Sequence, residues 1–316
     1  MVPSATEPST GIPESKAHVN LSLLDGGSFI GDYAKVHAGV NEKRFRMYNW
    51  AFYIEHNGRH LLWDLGLEKD RECYTPWVNK YMLDICNHVG PSRSIVKQLG
   101  ERGVSAGQVD SVLFSHAHWD HCRPIKNEFP NATAYFGPGT KKGCSPGHLA
   151  DPNAQWHGRY FDPERATEKF GELTGPWVPF GPFEKAMDFF QDGSFWVIQA
   201  PGHMPGNLCA AASLASGEWV LLASDCCHSR DLLDGKYEIA TFCVPGNDKA
   251  SLHSDIPAAY DTMSKIRKLE KEHGFHVALA HDAGWMKEGK NTVLMSLLDE
   301  YMATAVKERI PKDEIP

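Results

Sequence analysis

No stretch of this 316-residue sequence approaches the ~20 consecutive apolar residues that a membrane span requires, and the N-terminal MVPSATEPSTGIPESK lacks the apolar core of a secretory signal. A soluble, cytoplasmic protein with no membrane partner is the expectation. Surplus positive charge is missing too: 32 Lys and Arg stand against 40 Asp and Glu, a formal net charge of -8 with His neutral. That argues against nucleic acid as the main partner, because phosphate binding depends on clustered Lys and Arg. The eight Cys, at 73, 86, 122, 144, 209, 226, 227 and 243, contain no CxxC pair and no tight framework. In a large chain they read as reduced core thiols. What is present in unusual number is His, 16 in all, which invites a search for metal ligands or pH-sensitive groups.

A hydrophobic fraction of 42% with 23% charged residues is ample for a sizeable core. Residues 1–16, rich in Pro, Ser, Thr and Glu, read as a flexible leader. MYNWAFYIEH at 47–56 and RHLLWDLGL at 59–67 are joined by Asn57-Gly58 and read as a β-hairpin. PSRSIVKQLGERG at 91–103 has helical apolar spacing and a terminal Gly, and VDSVLFSH follows as a strand. Few clean periodic runs occur from there to residue 194. SFWVIQA and EWVLLAS then read as buried strands, 255–274 as a charged amphipathic helix, FHVALAHD as a strand and NTVLMSLLDEYMATAVKERI as a last helix. With no composition break resembling a linker, residues 17–316 form one mixed α/β domain, with an aromatic-rich insertion at about 137–193.

The decisive run is Ser115-His116-Ala117-His118-Trp119-Asp120-His121, directly after an apolar strand. On a continuing strand His116 and His118 share one face, and a turn after them brings Asp120 and His121 around. Imidazole and carboxylate are ligands of Zn2+ or Fe2+, and four of them exceed the three that one catalytic ion usually takes, which suggests two ions. His203, in Pro201-Gly202-His203-Met204-Pro205-Gly206-Asn207, Asp225 after WVLLAS and His281 after HVALA each stand where a core strand runs out.

With these motifs in order, joined by the Asp64 of LLWDLGL, the sequence resembles the metallo-β-lactamase superfamily from about residue 19 to the end. The resemblance implies a four-layer αββα sandwich with two divalent metal ions at one edge, Zn2+ first, with Fe or Mn as alternatives. By the same resemblance His116, His118 and His203 would hold one ion, Asp120, His121 and His281 the other, and Asp225 would bridge them. Asp64 would orient ligands. Flavodiiron proteins carry Glu at the position of His118, and broad β-lactamases have Cys where Asp225 stands. Cys226 reads as a packed neighbour, because adjacent side chains on an extended segment point opposite ways.

Within the superfamily, LSLLDGGSF, LLWDLGL and LAHDAGW look most like the quorum-quenching N-acyl homoserine lactonases and related fungal hydrolases, which act in xenobiotic detoxification on lactams and cyclic carbamates such as benzoxazolinone. The implied reaction is attack of a metal-bridging hydroxide on a lactone or lactam. The implied partner is then a small cyclic ester or amide, with a homodimer left open. Asp120 would orient the hydroxide. Many of these lactonases have Tyr three residues after the bridging Asp; here His228 stands there, able to donate the same hydrogen bond and to protonate a leaving group. His253 reads as a cap or surface residue. Residues 156–196 hold eleven aromatics, read either as a lid giving the site an apolar wall or as core. The alternatives are a thioesterase of the same fold, for which only Lys141-Lys142 and Arg159 offer a basic patch, and a mononuclear iron dioxygenase.

Overall fold

The computed structural model describes residues 11–244, 247–308 and 310. One six-stranded sheet takes β1 (Asn20–Asp32), β2 (Arg44–His56), β3 (Arg59–Trp63), β4 (Val109–Leu113), β5 (Thr133–Phe136) and β6 (Phe170–Glu172) in that spatial order. Its first three strands are antiparallel and its last four run parallel. The second sheet takes β7 (Val178–Phe180), β8 (Phe183–Asp188), β9 (Phe195–Gln199), β10 (Leu208–Ser213) and β11 (Trp219–Ser224). After a small hairpin, β12 (Phe242–Val244) and β13 (Asn247–Ala250), the strand β14 (His276–Leu279) joins β11 in parallel and completes that sheet.

The two-residue period of a strand explains the layering. Leu61 and Trp63 of β3 point into a core shared with Val197, Ala210, Leu222 and Ala278 of the second sheet. Leu62, between them, faces the other way, against Ile95 and Leu99 of the short helix Ile95–Gly100. On the far side, Ile198, Ala211 and Val277 meet Ala259, Met263, Ile266 and Leu269 of the helix Ile256–His273. That helix starts on an Asp255 side chain accepting the Ala258 N–H and ends at Gly274 with φ 72°, the two termini its sequence signals. The layers are helix, sheet, sheet, helix, the expected sandwich.

Several expectations are corrected. Residues 1–10 of the expected leader lie outside the described residues, but 11–16 are docked: Ile12 packs on the outer core and the Lys16 N–H bonds the Asp192 carbonyl. The last helix is two, Thr292–Met295 and Glu300–Glu308, because Asp299 accepts the Met302 N–H and so starts a new helix inside the apolar run. The segment at 137–193 supplies β6 and β7, each at the edge of one sheet, and β8 beside β7. Its aromatics are mainly core rather than lid. Tyr160, Phe161, Phe180 and Phe183 are all buried, and Trp156 comes close to the site, stacked on His118 at 5.7 Å between ring centres.

Candidate metal centre

The loops that leave β3, β4, β9, β11 and β14 at their C-terminal ends converge on one point. Asp64 directly follows β3, His116 to His121 follow β4, His203 follows β9, Asp225 follows β11 and His281 follows β14. The loop carrying His203 is held by close approach. Gly202 sits at φ 130° with its Cα face against Ala259, where a Cβ would lie 2.4 Å from the Ala259 backbone.

Two donor groups form around Asp225, and a third set, His203, His228 and His253, lies beside them. In the first, His203 Nε2 lies 3.2 Å from His116 Nε2 and 2.8 Å from His118 Nδ1, with Asp225 Oδ2 3.5 Å from His203 Nε2 and 3.8 Å from His116 Nε2. In the second, His121 Nε2 and His281 Nε2 lie 3.3 and 3.1 Å from Asp225 Oδ1, and 3.5 and 3.6 Å from Asp120 Oδ2. Four ligands at about 2.0–2.1 Å from a tetrahedral ion stand about 3.3 Å apart, and these separations cluster around that value. The two groups share Asp225, whose Oδ2 faces the first group and whose Oδ1 faces the second, with His281 Nε2 within 3.1–3.2 Å of both oxygens. Either group could hold a metal ion.

The unused atoms fit the same reading. His121 Nε2 and Asp225 Oδ1 are fully buried and have no hydrogen-bond partner, a costly arrangement unless a cation lies between them. Ring orientation is set from behind. The Ser115 hydroxyl donates to Asp64 Oδ2 and so accepts from His116 Nδ1, which leaves His116 Nε2 as a free lone pair. His121 Nδ1 donates to Asp64 Oδ2 at 2.9 Å and His281 Nδ1 to the Tyr48 carbonyl at 2.6 Å, freeing Nε2 of both rings. Such partners fix the ligating tautomer of a histidine. Asn49 Nδ2 holds Asp120 through its carbonyl at 3.0 Å and its carboxylate at 3.2 Å.

The electrostatics divide the two groups. Burial pushes His116 and His203 well below the ordinary imidazole value and His118 down to about 4, so that set is neutral. Burial acts the same way on His121 and His281, but Asp225 and Asp120 outweigh it, and both imidazoles are raised. Burial alone would raise the Asp225 carboxyl; His281 and His121 hold it well below the carboxylate range. The second group is therefore an acidic pocket that draws positive charge in.

All seven expected ligand residues meet here. His228 is buried, not turned to solvent; its Nε2 is 3.3 Å from Asp225 Oδ2 and it lines the cavity. Cys226 packs below, its Sγ accepting from Asn207 Nδ2, and belongs to neither group. His253 corrects the surface reading: it is buried, with Nε2 3.2 Å from His228 Nδ1. Ser115, Ser224, Asn49 and Tyr48 carry no motif signal of their own, although Ser115 and Ser224 stand beside predicted ligands. Above the centre opens a cavity of about 750 Å3, walled by Phe29, Met47, Met82, Ile85 and Leu252, with Lys35, Lys43 and Arg44 at its mouth. A basic patch at the pocket thus exists, on residues other than Lys141, Lys142 and Arg159.

A sandwich that carries paired His and Asp donor sets on the loops at its strand ends defines a class of metal-dependent hydrolases. The metallo-beta-lactamase superfamily profile matches residues 45–125. The chain is 30% identical to gamma-lactamase MBL2 of Gibberella moniliformis over 182 residues, covering 53% of this chain and 70% of that protein. It is 29% identical to metallo-hydrolase mfmC of Annulohypoxylon moriforme, covering 87% and 81% respectively. It also matches cytochrome P450 monooxygenase mpaDE' of Penicillium brevicompactum at 26% identity, spanning 37% of that protein's length. Among solved structures, an AiiA variant of B. thuringiensis with N-decanoyl-L-homoserine bound superposes with a TM-score of 0.62 at 15% identity, over 85% of this chain and 95% of that one. The chain belongs to the metallo-β-lactamase superfamily, and it is a metal-dependent hydrolase with lactamase and lactonase relatives. Among the described residues no helix is long and apolar enough to cross a membrane.

Proposed function

We propose that the chain is a dinuclear hydrolase that opens a lactone or lactam. His116, His118 and His203 would hold one divalent ion, Asp120, His121 and His281 the other, with Asp225 between them. The observation that carries this is the sharing of Asp225 by two donor groups of tetrahedral spacing at the floor of a largely apolar cavity. Bound there, divalent ions such as Zn2+ supply a Lewis acid and lower the pKa of water so that it attacks a carbonyl at neutral pH. Relatives named gamma-lactamase and N-acyl homoserine lactonase support a cyclic amide or ester as the substrate class.

The chain's own side chains do the rest. Asp120, held from behind by Asn49, orients the attacking water and takes up its proton at a carboxylate oxygen. His228 presents Nε2–H to the cavity, where it donates to the carbonyl oxygen as charge builds and then to the departing ring oxygen or nitrogen. Phe29, packed on Trp119 at 5.3 Å and edge-on to His281 at 5.5 Å, keeps water from the floor. Two equivalents of metal by elemental analysis, with turnover of acyl homoserine lactones, simple γ-lactones or benzoxazolinone by the zinc-loaded protein, are expected. One equivalent of iron would favour a dioxygenase instead. A thioesterase is the second reading, favoured by the cations at the cavity mouth; turnover of thioesters alone would replace the lactone assignment with it.

A further inference from the structure

The cavity has two ends of opposite character. Its floor holds the carboxylates Asp120 and Asp225; its mouth holds the exposed cations Lys35, Lys43 and Arg44. Three cations around one opening run against a chain whose net charge is -8. None of the three has a carboxylate ion-pair partner among the described residues, whereas Arg59, Arg93 and Arg230 each have one. Asp32 and Glu42 also line the mouth, so three cations against two carboxylates leave one positive charge in surplus, and Asp32 is engaged in accepting the Ala34 N–H.

Two of the cations are anchored to separate walls. Arg44 donates to the Ile85 carbonyl at 3.0 Å, which ties it to the segment that carries Met82 and Cys86. Lys35 Nζ lies 5.5 Å from the centre of the Phe242 ring, on the β12–β13 hairpin. Cys86 stands between the two ends: burial and Asp120 raise its thiol, while Lys35 and Arg44 pull it back. From floor to mouth the path is acidic, then apolar, then basic.

We infer that the mouth is a binding subsite for an anionic group of the carboxylate class, carried by the substrate at the far end of an apolar tether. The ring sits at the floor, the tether runs along Phe29, Met47, Met82 and Ile85, and the anion ends among Lys35, Lys43 and Arg44. This rests on the hydrolase reading for what happens at the floor and on nothing else in it. Exposed ion pairs are individually weak, so three cations together give on the order of tenfold in KM.

The test uses the zinc-loaded full chain and two γ-lactones that share one ring and one hexyl tether, the first ending in a carboxylate and the second in its methyl ester. The carboxylate is expected to show the same kcat and a KM roughly tenfold lower, with the gap closing at about 0.5 M NaCl. A variant combining Lys35→Gln, Lys43→Gln and Arg44→Gln should raise KM for the carboxylate alone. Equal KM values in the unaltered protein, or a gap that survives the triple variant, would overturn the inference. Calorimetric binding of the two ring-opened products makes the same comparison without turnover. Tighter binding of the dicarboxylate with no hydrolysis of either lactone would sink the lactonase reading and leave the subsite standing. A glutathione thioester assayed beside them identifies the source of the anion: hydrolysis of it alone, dependent on the three cations, places the anion on a thioester.

Discussion

Replacing Asp64 by Asn separates orientation of the ligands from ligation itself. Asp64 stands at φ 57°, a left-handed conformation that Asn tolerates, so the backbone is not the source of any effect. Its two oxygens receive three donors: Oδ1 takes the Ser115 N–H at 2.7 Å, and Oδ2 takes the Ser115 hydroxyl at 2.7 Å and His121 Nδ1 at 2.9 Å. An amide has one oxygen and two N–H donors. Whichever way it turns, at least one native donor faces another donor. If the oxygen stays with the Ser115 N–H, His121 can satisfy the amide only by moving its own proton to Nε2, the atom that faces Asp120 and Asp225. Loss of one hydrogen bond to a charged acceptor costs about 1.5–3 kcal/mol of stability. Removal of such an orienting partner weakens metal binding by about 10–100-fold. Titration against a chromophoric zinc chelator should therefore show both ions weakened, the one held by Asp120, His121 and His281 more, because Asp64 reaches His121 directly but His116 only through the Ser115 hydroxyl. Two ions bound as tightly as in the unaltered protein would refute the reasoning, because the His121 tautomer would then not depend on Asp64.

His253→Leu removes the group bonded to His228 Nδ1; kcat should fall about tenfold with KM and metal content unchanged, as expected for loss of one aligned general-acid contact, and loss of metal in that variant would show His253 to be a ligand instead. His157 is held at about 3 by burial, so between its unfolded value near 6.5 and about 3 the unfolded chain binds more protons and stability falls as pH falls. Its ring also accepts the Arg159 N–H at a helix start, and Asn keeps such a cap; His157→Asn should therefore cut the loss of unfolding free energy between pH 7 and pH 4.5 by about 2 kcal/mol, read by urea titration, and an unchanged slope would contradict it. Gly202→Ala should cost about 3 kcal/mol through strain at φ 130° and contact with Ala259, seen as a lower melting temperature together with weakened binding of the first ion; a variant as stable as the original would show that the loop can move.

The donor set was legible because each donor is a chemically distinctive residue placed after an apolar strand, and such strands are the strongest local signal in a sequence. The hidden part of the site is hidden for a physical reason. Ser115 and Ser224 act through one hydroxyl each, passing a hydrogen bond from Ser224 to Ser115 at 2.6 Å and on to Asp64, and a serine looks the same in sequence whether it does this or faces solvent. His253 follows a short hairpin and precedes a helix cap, a context that favours the surface. Its burial depends on the approach of His203 and His228 from loops fifty and twenty-five residues earlier, which no local pattern encodes.

The placement of the aromatics at 156–196 and of the cations at the cavity mouth is hidden in the sequence for the same reason, seen from opposite sides. Proximity in sequence to His118 and His203 leaves open that Phe170, Phe180 and Phe183 wall the site, yet β6 and β7 are sheet edges, with β8 beside β7, and their large side chains cover both outer cores. The wall comes instead from β1 and β2, whose thirteen-residue lengths carry Phe29 and Met47 past the edge of the sandwich to stand over the metal groups. The Gly26-Gly27 register shift in β1 lets this happen: Gly27 at φ 87° packs against the Val89 carbonyl, where any Cβ would fall at 2.4 Å. The bend carries the ends of both strands, with Lys35, Lys43 and Arg44 around their connection, across to the active face. The residues that line the mouth of the cavity therefore lie in the first hairpin, some seventy residues before His116.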